Sequence, residues 1–168
     1  MKEIKLRVRH KNIEQRIQLY TYYTGEARKE VGLPERLAAK IQASSDDEAQ
    51  LTDHIETAIA ELGTFISQHF TNCHIEKINE GDSNGTIYKF TTIVPENFPR
   101  TALGQIEQSM ENYTVKRTLQ QWLQQHRPEE SGIPAGEAQT LAYQLRELLT
   151  LRTKPCIESE RPNNIIEL

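Results

Sequence analysis

Between Lys2 and Arg9, Ile4, Leu6 and Val8 alternate with Lys5, Arg7 and Arg9. A period of two turns one set inward and the other outward, so this stretch predicts a strand with a basic outer face. The period then lengthens. Asn12 and Gln15 stand at capping-box spacing, and Ile13, Ile17 and Tyr20 form a helical stripe that Gly25 is expected to end in the left-handed conformation. The segment 31–45, with Gly32 and Pro34 as breakers and Leu33, Leu37 and Ile41 as a short stripe, predicts a loop with about two helical turns.

Ser45 and Glu48 form a capping box, and Asp46 and Asp47 complement the positive end of a helix dipole. Leu51, Ile55, Ala58, Leu62, Phe65 and His69 follow at steps of four and three, which predicts a long helix over 46–70 with one core-facing side. The runs 72–78 and 85–94 predict a hairpin of two strands, closed by Pro95, with both faces of the second partly covered. Two further helices are expected over 101–126 and 135–153. The apolar stripe of the first shifts phase after Tyr113, and the short loop between them favours an antiparallel pair. The resulting class is α+β, with about four main helices, a helical hairpin at the C-terminal end and a small three-stranded antiparallel sheet. Residues 1–155 form a single domain in this reading, and 156–168 an extended C-terminal tail.

Charge sharpens the picture. Residues 1–40 carry ten Lys/Arg and five Asp/Glu, a balance of +5, whereas 41–168 carry ten and nineteen, a balance of −9, giving the net −4 of the chain. If these blocks become faces, opposite poles could orient association between copies. Nucleic-acid contact by the basic block is the weaker reading, because no RNP, helix-turn-helix or zinc-finger signature is present. No apolar run approaches a membrane span, and no secretory signal is visible. Cys73 and Cys156 fit a reducing compartment better than a disulfide.

Candidate chemistry is thin. His69, Cys73 and His74 could offer ligands at i, i+4 and i+5, with His54 or His10 as a fourth, but no spacing recruits one. His69 continues an apolar stripe and is expected at the core edge. There is no GxSxG, P-loop or dinucleotide fingerprint. Asp46, Asp47 and Glu48 are expected to cap a helix, and Trp122 to pack between the last two helices. No cofactor and no small-molecule substrate are expected. Recognition falls instead to Tyr20, Tyr22 and Tyr23, whose rings combine apolar area with a polar tip, and to Ile165, Ile166 and Leu168 as anchors of a tail lying across a neighbour.

The order of a basic strand, YTYYTGEAR, a helix opened by DDEAQL, a hairpin, the tryptophan helix and AGEAQTLAYQLRELLTLRTKP resembles small proteins of structural-gene modules in tailed phages and prophages of gut Bacteroidales. DDEAQLTDHIETAIAELGTFI is similar to the second helix of head–tail connector proteins. The resemblance implies a non-enzymatic particle component near the neck or tail, assembling with copies of itself or neighbouring particle proteins. Such a chain is cytoplasmic before assembly and in the virion afterwards. The alternatives are an adaptor of a bacterial cytoplasmic complex and, in a different class, a small metal-dependent hydrolase needing convergence of His54, His69, Cys73 and His74.

Overall fold

The computed structural model describes residues 1–30, 43, 47–81 and 85–153. Strand β1 (Lys2–Arg9) leads directly into helix α1 (His10–Glu30). Helix α2 (Glu48–Ser67), strands β2 (Thr71–Asn79) and β3 (Thr86–Val94), and helices α3 (Leu103–His126) and α4 (Gly132–Thr150) follow. Short 3₁₀ turns at Arg100–Ala102 and Pro128–Glu130 introduce the last two helices. The sheet is three-stranded and antiparallel in the order β1-β3-β2, so the α+β expectation holds.

Strand β3 is central because it carries the most apolar side chains. Leu6 and Ile75 face its Phe90 from either side. On β1 the odd residues Glu3, Lys5, Arg7 and Arg9 are exposed, while Ile4, Leu6 and Val8 are buried. Among the described residues, the helices cover this inner face. Ile13 and Ile17 of α1, Leu51 to Ile66 of α2, and Ile106, Met110, Leu119 and Trp122 of α3 complete one core with it. Helix α3 also shields the free edge of β1: the backbone N–H groups of Arg7 and Arg9 donate to Glu107 Oε1 and Glu111 Oε1 at 2.9 and 3.4 Å. Occupied edge donors are poor templates for unwanted strand pairing.

Helix α4 packs antiparallel on α3. The start of α3, Gln105 to Asn112, lies beside Gln144 to Leu151, and its middle, Tyr113 to Gln120, beside Ala135 to Ala142. The helix begins earlier than expected, at Gly132, because Pro134 falls in the first turn, where its missing N–H has no intrahelical partner to lose. It also ends earlier, at Thr150. Leu151 turns extended, and Thr153 donates its N–H and hydroxyl to Asn97 O, each at 2.7 Å.

Three other expectations are corrected. The first helix does not stop at Gly25: that residue is buried within α1, and positive φ is confined to Asn72, Gly81 and Gly85 among the described residues. Nor does Asn12 cap the helix, which begins two residues earlier at His10. Helix α2 is also shorter than 46–70, because Phe70 turns into the core and meets Phe98 edge-on at 5.4 Å. Its cap residue Asp47 makes no side-chain capping bond; Ser45 and the segment 31–42 lie outside the described residues.

Two buried threonines on α3 give predictions of opposite sign. Thr114 Oγ1 donates to Met110 O at 2.8 Å, whereas the equally buried Thr118 Oγ1 has no hydrogen-bond partner among the described residues. Thr114→Val is expected to destabilise by about 1 kcal/mol, and Thr118→Val to stabilise by a similar amount, since it removes an unsatisfied hydroxyl while keeping the shape. Urea denaturation of both variants checks the pair.

Candidate interaction surface

Helix α1 places its tyrosines outward. The inward stripe runs through Ile13 and Ile17 to Thr21 rather than Tyr20. Thr21 is buried because its hydroxyl is fully used: it bonds Ile17 O and Gln18 O at 2.9 and 3.1 Å and accepts the N–H of Ala43 at 3.1 Å. Tyr20, Tyr22 and Tyr23 remain 39%, 51% and 63% exposed, and Leu19 is exposed beside them. Spacings of three and four bring Leu19, Tyr22 and Tyr23 onto neighbouring positions of the helix surface. The Tyr22 and Tyr23 rings meet edge-on at 5.8 Å.

Lys116 of α3 anchors the near side of this patch. Its Nζ lies 5.2 Å from the Tyr20 ring centroid and 2.7 Å from Glu137 Oε2 of α4. A cation over an exposed ring contributes about 0.5–1 kcal/mol, enough to bias the Tyr20 rotamer. Leu19, Lys116 and Glu137 were not singled out by sequence. Leu19 lies off the predicted stripe, and the other two join only through helix packing. Ile165, Ile166 and Leu168 lie outside the described residues, as does Cys156.

The imidazole and thiol groups do not converge. Among the described residues, no group of three or more His, Cys, Asp or Glu side chains is placed to hold a metal ion. His54 sits on α2 with Nε2 buried and without a hydrogen-bond partner among the described residues. His69, at the core edge as expected, meets Phe65 edge-on at 5.2 Å. His74 faces Thr91 across the sheet. Burial pushes the free Cys73 thiol up, partly offset by a hydrogen bond with Ser67.

Two polar networks were not legible in the chain because each draws on several elements. In one, His10 Nδ1 lies 3.2 Å from Tyr88 Oη, Tyr88 bonds Glu56, and Lys77 Nζ pairs with Glu56 Oε1 at 2.5 Å. Burial, followed by the Glu56 charge, pushes the Tyr88 phenol up to about 12. In the other, Arg117 grips Glu61 through two bonds of 2.7 and 2.8 Å and reaches Gln120 Oε1 at 2.7 Å. Burial and Glu61 both push the neighbouring Tyr113 phenol up.

The histidines impose a pH dependence. Burial lowers the His10 pKa, outweighing Glu14, Glu56 and Glu48, with Lys77 adding to the fall; burial and then Arg146 lower that of His69. Below the ordinary histidine value of about 6.5 these two side chains therefore bind more protons in the unfolded chain than in the folded one. Their contribution is fully present above that value and is lost as pH falls through the lowered folded pKa values. His10→Gln/His69→Gln should flatten the decline in denaturation midpoint between about pH 7 and 5 relative to the unmodified chain.

The fold and surface define an α+β protein: a sheet covered on one face by helices, with an aromatic patch on its first helix. No described helix is long and apolar enough to cross a membrane. Compared with protein-family models, curated proteins and solved structures, the chain matches none of them.

Proposed function

We propose that this chain is a non-enzymatic assembly protein of a phage or prophage particle, a neck or head–tail joining subunit acting through protein–protein contacts. The observation that carries the recognition role is the run of exposed Leu19, Tyr20, Tyr22 and Tyr23 on one helix. Tyrosine is enriched at interface hot spots because a large ring is immobilised at the expense of only two side-chain torsions. The patch lies on helix α1, with Lys116 over the Tyr20 ring. The particle setting is supported by the sequence resemblance.

The test is partition between assembled particles and the unassembled pool. Tagged chain should sediment with particles purified from induced cells, and Tyr22→Ala/Tyr23→Ala should remain in the unassembled fraction at least tenfold more than the unmodified chain. Exposed substitutions of this kind change stability little, so circular dichroism should be unchanged. Equal partition of the two forms would contradict the assignment of the patch, and absence of the unmodified chain from particles would contradict the particle setting.

A further inference from the structure

We infer that the open face of the sheet is a second interface, which docks on the acidic first half of α2 in a second copy of this chain. Helices cover the inner face, and the outer one presents Lys5, Arg7 and Arg9 of β1 beside Lys89 of β3. Arg7 stands directly across from Lys89. Like charges at such positions destabilise a sheet, so fold stability does not account for the pair. Lys5 and Lys89 are partly neutralised by Glu3 and Glu76, at 3.4 and 3.5 Å. The side chains of Arg7 and Arg9 pair with no carboxylate among the described residues; their only bonds there are through backbone N–H.

The chemistry of the face selects the occupant. The six charged strand residues of this face sum to +2, and Glu107 and Glu111 of α3 border Lys5, Arg7 and Arg9 only along the β1 edge. A protein surface fits better than nucleic acid. Ile78 and Ile93 lie part-exposed on this side, and Glu3 and Glu76 would repel phosphates. The complementary surface is on the helix side of the same molecule. Glu48 and Asp53 of α2 are exposed and pair with no lysine or arginine among the described residues, and Glu56 adds a half-exposed carboxylate. A basic face and an acidic face on different layers make the contact heterologous, so successive copies stack sheet to helix and close into a ring or continue as a filament.

A charge-swap experiment on the full chain tests this, with sedimentation velocity as the readout. At low salt the unmodified chain should at least double its mass above the 19.4 kDa of one copy as concentration rises. It should return to one copy at about 0.5 M sodium chloride, where exposed charges are screened. Arg7→Glu/Arg9→Glu and Glu48→Lys/Asp53→Lys should each stay at one copy, and an equimolar mixture of the two should associate again. Circular dichroism tracks folding, and Arg7→Gln/Arg9→Gln replaces the first variant if reversal unfolds it. Tyr22→Ala/Tyr23→Ala should associate like the unmodified chain, which separates this interface from the α1 patch. A single-copy mass for the unmodified chain at all concentrations, a mixture that does not associate, or retention of labelled duplex DNA by the unmodified chain but not by the arginine variant would overturn the inference.

Discussion

Trp122→Ala is expected to lower the unfolding free energy by about 3–5 kcal/mol, the usual range for removing a buried large aromatic. Trp122 is 1% exposed and lies in the main core cluster, with its ring 4.2 Å from that of His126. Helix α3 joins that core to α1, α2, β1 and α4, so a cavity at Trp122 opens where layers meet rather than at a rim. The surrounding side chains are held from several directions and cannot collapse into the space, which places the effect toward the upper end of the range. Thermal denaturation should fall by roughly 10 °C or more. Tyr143→Ala, at a residue 61% exposed on α4, provides the contrast and should shift stability by less than about 0.5 kcal/mol. Similar losses at the two sites would mean that α3 does not occupy the centre of the fold.

The second large effect falls at Gly63, where α2 closely approaches Ile75 and Phe90 of the sheet. A Cβ there would overlap Ile75 Cδ1, lie 3.3 Å from Ile75 Cγ1, and lie 3.9 Å from Phe90 Cε1. The overlapping atom is the free end of a side chain, so Gly63→Ala can be met by rotation of Ile75. The helix gains up to about 1 kcal/mol of intrinsic propensity in exchange, leaving a net change near zero. Gly63→Leu has no such outlet, because its branch must displace Ile75 and press on Phe90, the central residue of the sheet. Overpacking of this kind destabilises by about 1–3 kcal/mol or more. Ile75→Val deletes the obstructing carbon and alone should cost about 0.5–1.5 kcal/mol. Combined with Gly63→Ala, the same deletion should cost less than the sum of the single changes, a positive coupling that only contact explains. Denaturant curves for the four variants check the cycle. A well-tolerated Gly63→Leu would mean that α2 stands farther from the sheet.

Periodicity carried much of this architecture. Alternation at Ile4, Leu6 and Val8 located β1, and the apolar residues on both parities of β3 fell on the central strand, flanked by β1 and β2. The phase shift in α3 reflected a helix that serves several partners in turn. What sequence could not supply was three-dimensional coincidence. Gly25 looked like a stop because glycine is the usual left-handed cap, yet it lies buried within α1, which runs on to Glu30. Tyr20 fitted the apolar stripe by spacing. Thr21 took the inner position instead because local backbone carbonyls and the Ala43 N–H satisfy its hydroxyl. The tyrosine patch was visible as composition, but its exposure and the placing of Lys116 needed the packed helices. The His10–Tyr88–Glu56–Lys77 network spans four elements and leaves no local trace.

Site-specific photo-crosslinking from α1 tests the central claim most directly. A benzophenone amino acid replacing Tyr23 should give a covalent adduct with a particle protein during assembly, and the same group replacing Thr64, exposed on α2, should give none with that protein. Adducts of equal yield from both positions, or none from position 23 while the chain still enters particles, would contradict the placing of recognition on the first helix.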